Sequence, residues 1–378
     1  MHAKLRSHLD PLTVQTRMKT QTHHNQTFRS VPTHSKPLDT ARLEKLFQQQ
    51  LDLYKSNLKS SSDEYLTALK TIPLGAHSTF QSFDPYPISI KSAKGAWMVD
   101  VDGRKMLDLS MGFGSMLVGH LNPLVMAELK ATLDIGTLYT APSPDSRDAA
   151  ERLCRRFGID QIRFTNSGTE STMYAVRTAR AYTGKEGVVK VEGGYHGSGD
   201  ALMVSTKPSL DKAGPEDAPN SVIGNASVPG LSYVVPYNNA EALERVFEKH
   251  SATIACFIVE PVLENIGIVL PDEGYLEKVR ELCDEYKIVL IFDEVKTGLT
   301  AGPQGAAQRL GVIPDLICLA KSIGGGIPLA AFGGKTEFMK PVTDGRMPHL
   351  GTFNGHILAM AAVRAVDKLC TPAALDKA

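Results

Sequence analysis

Two hydrophobic periods run along this chain, and the change from one to the other marks out its elements. From residue 122 onward, stretches with apolar residues at helical spacing cover 123–133, 145–157, 170–182, 240–250 and 274–286. Between them lie short apolar, β-branched runs near 162–164, 187–191, 202–205, 232–235, 253–259, 288–292 and 316–319. Continuous apolar runs bounded by turn residues suit strands buried on both faces. Helices alternating with such strands predict an α/β fold, a mainly parallel sheet covered by helices. The first third reads differently. Leu43, Leu46, Phe47 and Leu51 fall on one face of a helix over 39–58, with Asp39 or Thr40 as its N-cap. Short strands follow at 88–90, 96–101 and 106–109, and Asp102-Gly103 marks a hairpin between the last two.

The 378 residues, 42% hydrophobic and 22% charged, are enough for two domains or one large one. A formal net charge of +0 gives no electrostatic reason to expect nucleic acid or a membrane as partner. The five cysteines are scattered without CxxC spacing, which suits buried thiols in a reducing compartment, and no metal-ligand spacing stands out. No run approaches the roughly 18 apolar residues of a membrane span. Residues 1–36 carry six Lys or Arg against one acid, Asp10, without a secretory apolar core. They read as a disordered basic leader on a cytoplasmic protein, or as an organellar transit peptide.

Candidate chemistry collects where the strands end. The run 288–292 stops at Asp293 and Glu294, and the run 316–319 is followed by Lys321 and three glycines, so that Asp293 and Lys321 stand 28 residues apart. In an open α/β sheet ligands bind outside the carboxyl ends of the strands. One anion and one amine would then share a crevice, unless they form a simple salt bridge at the sheet edge. A lysine kept partly dry has a depressed pKa and can condense with a carbonyl. Ser167, Gly168 and Thr169 open a helix after the strand near 162–164, which makes either a phosphate seat or an ordinary N-cap with Glu170 in the first turn. Tyr195, between glycines after 187–191, would stack on a flat ring or anchor its loop. Glu260 ends the strand 253–259, with Asn265 five residues on. A phosphate seat, a stacking ring, a carboxylate and a lysine on one rim describe pyridoxal phosphate better than any other cofactor. GxGxxG, GxSxG, HExxH and nucleotide P-loop spacings are missing.

The motifs NSGTE, GGYHG, VEP, FDEV and AKSIGGG, in that order, resemble the class III aminotransferases of the fold-type I pyridoxal-phosphate enzymes. Within that group the chain is most similar to glutamate-1-semialdehyde 2,1-aminomutase and the β-amino-acid aminotransferases. The resemblance implies that Lys321 forms the Schiff base and shuttles protons, and that Asp293 pairs with the pyridine nitrogen. Val295 would pack on the ring opposite Tyr195, while Ser167, Gly168 and Thr169 hold the phosphate. Glu260 and Asn265 match positions near the ring, and His196 supports the loop rather than transferring protons. Thr352, in HLGTFN, would reach a partner's phosphate in a homodimer with shared active sites. The implied reaction is amino-group transfer, as a transaminase or an aminomutase, on a small amino acid or amino-aldehyde. A catalytically impaired homologue with a binding role, and a racemase or epimerase, stand as alternatives.

Three features depart from the family pattern. Ser78 and Gln81 match substrate-binding positions, but Gln81 stands where the aminomutases carry an arginine, which removes a bidentate carboxylate clamp. Lys296 stands where relatives have Met or Gln, and it either approaches the cofactor's phenolic oxygen or, the favoured reading, points away. Family members continue beyond the helix that begins near Leu358, so the small α+β domain reads as C-terminally truncated at Ala378. The expected division is 1–36 leader, 37–110 N-terminal segment, 111–345 large cofactor-binding domain and 346–378 the start of the small domain.

Overall fold

The computed structural model describes residues 39–206 and 232–377. The leader 1–36 lies outside the described residues. Among the described residues ten strands form two sheets. β1 (Ile90–Lys94), β2 (Trp97–Asp100) and β3 (Lys105–Leu107) make a small antiparallel sheet. β4 (Gln161–Thr165), β5 (Gly187–Val191), β6 (Ser232–Val235), β7 (Ile254–Val259), β8 (Val289–Glu294), β9 (Leu316–Leu319) and β10 (Ala330–Gly334) make the large one. Its order is β4-β10-β9-β8-β7-β5-β6, parallel except for β10, which runs antiparallel to both neighbours. The mainly parallel, helix-covered sheet expected from the pattern is therefore present.

Strand alternation divides the core into two faces. Val188, Ile258, Ile291, Cys318 and Phe332 pack against Tyr174, Ala175 and Ala179 of helix Gly168–Thr183. On the other face, Val189, Phe257, Leu290 and Phe292 meet helices Ala240–His250 and Tyr275–Tyr286. Phe164, Ile317 and Leu319 meet helices Pro144–Phe157 and Ile357–Leu369 there. Both faces are buried, which is why these strands read as continuous apolar runs.

Asp39 caps helix Thr40–Asn57, accepting from Arg42 N–H, but Leu43, Leu46 and Phe47 remain exposed on the single chain. A second helix, Lys59–Ala68, is absent from the pattern reading. It is fixed from a distance: the Asp102 carboxylate at the hairpin accepts from Ser60 N–H at 2.7 Å and from Ser61 Oγ at 2.8 Å.

Three strand assignments change. The strand expected at 88–90 begins at Ile90 and runs to Lys94, because Pro85 and Pro87 withhold donors and Ser89 N–H is taken by Ser61 Oγ. The strand expected at 202–205 is a 3-10 turn, Asp200–Leu202, followed by Ser205 at φ +48°, a backbone no strand adopts. β10, sequence AAFGG, gave no strand signal because its small residues serve close approach instead. A Cβ on Gly333 would run into the carbonyl of Gln161 in β4, and one on Gly334 into that of Asp315 just ahead of β9.

Candidate active site

β4, β5, β7, β8 and β9 release their chains around one cavity of about 720 Å³. Among the residues named from sequence, Ser167, Gly168, Thr169, Tyr195, His196, Glu260, Asn265, Asp293, Val295 and Lys321 all line it. Ser78, Gln81 and Thr352 do not line it; all three are exposed, and Phe80, between the first two, lines the cavity in their stead.

Beyond β4 the chain turns into helix Gly168–Thr183. Ser167 Oγ caps it by accepting Glu170 N–H at 3.2 Å, and the helix's own bonds begin at Ser171 N–H. Gly168 and Thr169 N–H therefore have no acceptor within the helix. Glu170 turns back to take Asn166 N–H at 2.9 Å, so cap and open helix end coexist. Val295 closes over Gly168: a Cβ there would sit 3.1 Å from Val295 Cγ1.

The loop after β5 is tied to the same helix. Thr172 Oγ1 donates to His196 O at 2.7 Å, and Ser198 N–H donates to Thr169 Oγ1 at 3.2 Å. Gly197 has φ +81°, and a Cβ would fall 2.5 Å from Thr169 Oγ1, so glycine is required. Tyr195 faces the cavity with Phe80 edge-on to its ring, centroids 6.1 Å apart. His196 is buried, and its Nδ1 donates to Asp293 Oδ2 at 2.8 Å. Its support goes to the acid rather than chiefly to the loop, and its Nε2 has no partner among the described residues.

Asp293, 4% exposed, takes its second hydrogen bond from Val295 N–H at 3.0 Å. The neighbouring Glu294 points the other way, into the core, and accepts from Ala306 N–H, Ala307 N–H and Thr297 Oγ1. Strand alternation thus separates two adjacent acids, one for the cavity and one for the scaffold.

Lys321 sits on a 3-10 turn, Lys321–Gly324, at φ +49°, an uncommon backbone for a residue other than glycine. Burial first, and then the positive charge of Lys296, pull its amine below the ordinary lysine range, while Asp293, Glu260 and Glu264 oppose them. The glycines that follow leave room for protein: a Cβ on Gly326 would fall 2.6 Å from Met116 Sδ, and one on Gly325 3.0 Å from Val366 Cγ2.

Lys296 does not point away. It lines the cavity, and its Nζ donates to Glu260 Oε2 at 2.8 Å, the stronger pull being an otherwise lone buried carboxylate. Glu260 Oε1 accepts Tyr195 N–H at 3.0 Å. Sequence reasoning missed Glu264, a cavity-lining acid whose pKa burial raises. Its signal was an acid four residues after Glu260, on the loop that also carries Asn265.

The donor set fits pyridoxal phosphate. Free helix-terminal N–H groups suit a phosphate, a buried carboxylate held by histidine suits a pyridinium, and a dry lysine suits an aldehyde. Such a site on such a sheet defines a pyridoxal-phosphate enzyme of fold type I. A family model described as aminotransferase class-III matches residues 80–377, and the chain belongs to that family. A glutamate-1-semialdehyde 2,1-aminomutase of Methanocorpusculum labreanum is 42% identical over 304 residues, covering 80% of this chain and 73% of the relative. A solved transaminase with pyridoxal phosphate bound superposes with TM-score 0.79 at 32% identity, over 84% of this chain and 74% of that one. A β-phenylalanine aminotransferase from Variovorax paradoxus gives TM-score 0.79 at 30% identity, over 88% and 74%. This chain is a pyridoxal-phosphate enzyme of amino-group transfer.

Proposed function

We propose that this enzyme moves an amino group between a small amino acid or amino-aldehyde and a carbonyl acceptor, with Lys321 as the catalytic amine. The observation that carries this reading is that Lys321 and Asp293 face one cavity from adjacent strands, with an open helix N-terminus across from them. When bound, pyridoxal phosphate supplies an aldehyde and a ring that accepts the electrons left when a substrate proton departs.

Lys321 would hold the aldehyde, and its amine would remove and return a proton at the substrate's amine-bearing carbon. Its lowered basicity keeps a fraction of the amine neutral for that task. Asp293 would keep a proton on the ring nitrogen, and His196 holds its carboxylate in place. Ser167, Gly168 and Thr169 seat the phosphate; Tyr195 and Val295 flank the ring; Glu260 and Asn265 fix the loops around it. Thr352 lies exposed two residues before Asn354, whose Oδ1 accepts from cavity-lining Asn166 at 3.2 Å. That placement suits a homodimer in which Thr352 of one protomer completes the site of the other.

Transamination to a separate acceptor is favoured over intramolecular transfer of glutamate semialdehyde. Gln81 stands at the arginine position and is exposed off the cavity, and no arginine lines the cavity among the described residues. The aminomutase reading is the second, favoured by the 42% identity to a protein of that name. Incubation of the loaded enzyme with a panel of α- and β-amino acids, following loss of the visible band, tests both. Conversion by simple amino acids, reversed by a keto acid, supports transamination. Rearrangement of an amino-aldehyde with no net loss of the band selects the mutase, and inertness toward every donor overturns the reading.

A further inference from the structure

The end of the small sheet holds a hydrogen-bonded Asp–His pair that the chemistry at Lys321 does not use. Asp108, 4% exposed, follows β3, and its Oδ2 lies 2.8 Å from His120 Nε2. Its other oxygen accepts Ser110 N–H at 3.0 Å and Met111 N–H at 2.8 Å. One carboxylate therefore joins the two ends of the loop 109–119. Both ends are also tied to the sheet. Asp108 N–H donates to Ala96 O at 2.8 Å, and His120 exchanges backbone hydrogen bonds with Gly95, between β1 and β2, at 2.8 and 2.9 Å.

The loop so held has a strained backbone. Met111, Gly112, Phe113 and Gly114 have φ of +46°, +59°, +54° and +84° in succession, and two of them carry side chains that disfavour this region. Strain of this kind persists only where the surroundings over-determine it. The strained stretch brings Phe113 and Ser115 to the wall of the cavity. Met116, next along, packs against the glycines after Lys321, where a Cβ on Gly326 would fall 2.6 Å from its Sδ. Phe113 itself is 60% exposed, so the loop backbone rather than side-chain packing decides where its ring stands.

We propose that Asp108 and His120 are positioning residues that latch this loop across its base, and so hold Phe113 and Ser115 as the wall against which the amino substrate is placed. This rests on the cavity being the seat of amino-group transfer. His120 acts through Asp108: by fixing Oδ2 it keeps the other oxygen aimed at the two N–H groups that lead into the strained turn.

A pair that merely pinned the small sheet would, on removal, loosen β1, β2 and β3 as well. Hydrogen exchange of the loaded enzyme, read by mass spectrometry, separates the two roles. In His120→Ala the amides of 110–116 should exchange roughly tenfold faster, the factor that one charge-assisted hydrogen bond supplies, while peptides from 90–107 keep wild-type rates. Asp108→Ala should act in the same place and more strongly, and the double variant should match it, because His120 has no separate route to the loop. Wild-type rates at 110–116 in His120→Ala, equal acceleration across 90–107, or a double variant faster than Asp108→Ala overturns the proposal. If Asp108→Ala does not fold, His120→Ala decides alone.

A second readout concerns the wall itself. Loss of the visible band is followed with hydroxylamine and with O-benzylhydroxylamine, which share the reacting group and differ by one benzyl arm. In His120→Ala the half-saturating concentration should rise roughly tenfold for the benzyl probe and stay within about twofold for hydroxylamine. Equal changes for both probes, or none for either, overturn the loop's role as a substrate wall. A wild-type band that neither probe removes would instead contradict the role of Lys321, with the exchange comparison still deciding the latch.

Discussion

His196 and Asp293 are joined at 2.8 Å, Nδ1 to Oδ2, with both side chains buried. The bond links the loop after β5 to the end of β8 and fixes the orientation of a carboxylate that has one other donor among the described residues, Val295 N–H. His196→Ala should therefore let the acid rotate. A hydrogen bond to a charged group contributes about 1.5–3 kcal/mol, so kcat should fall roughly 10- to 100-fold. Steady-state kinetics on the loaded variant check this, and a kcat within twofold of wild type would contradict it.

Asp293 and Glu294 are neighbours with separate duties, and substitution should separate them. Asp293→Asn should leave the melting temperature nearly unchanged while lowering turnover by about two to three orders of magnitude, through loss of charge stabilisation at the ring. Glu294→Ala strips the acceptor from two backbone N–H groups and the Thr297 hydroxyl, all buried. It should destabilise the fold by about 2–4 kcal/mol. Thermal unfolding and kinetics measured on both variants should show the two losses in different proteins.

Gly197→Ala should damage the scaffold beneath the phosphate seat. The residue holds φ +81°, and its new Cβ would meet Thr169 Oγ1 at 2.5 Å. Strain of this kind costs about 1–3 kcal/mol. Helix Gly168–Thr183 and the Tyr195 loop should separate, and the dissociation constant for pyridoxal phosphate should rise. Fluorescence titration with the cofactor reads the effect directly.

Lys190, fully buried in β5, donates to the carbonyls of Gly194 at 2.8 Å and Val204 at 2.5 Å. Burial pushes its amine down to about 8, against the pull of Glu192 and Glu260. Below pH 8 both folded and unfolded chains carry the proton. Between about 8 and 10.5 the unfolded chain binds more protons than the folded one, so this residue's contribution to stability rises with pH. The gain is on the order of 3 kcal/mol across that window. Urea unfolding from pH 7.5 to 10.5 should show it in wild type and not in Lys190→Met.

Much of the site was legible because strand ends announce themselves. An apolar β-branched run that stops at an acid, or just before a lysine and glycines, places Asp293 and Lys321 at the same sheet edge without any coordinates. The N-cap pattern at Ser167 did the same for the helix end. Side-chain direction in the loops was not legible. Lys296 turns toward the cavity because the buried Glu260 needs a counter-charge, and that need depends on packing between β7 and β8. β10 was hidden because glycine and alanine there answer to neighbouring carbonyls rather than to β propensity. The assignment of Asp293 to the cavity and Glu294 to the core depends on strand phase, which shifts with a single residue.

Lys321, and not the second cavity amine at position 296, is the residue assigned to carry the cofactor. The assignment can be checked by loading the protein with pyridoxal phosphate, reducing with borohydride and sequencing the modified peptide by mass spectrometry. The visible band should bleach on reduction, with the added mass on Lys321 and none in Lys321→Ala. Modification of Lys296 in the wild-type protein, or the lack of any band, would contradict the assignment.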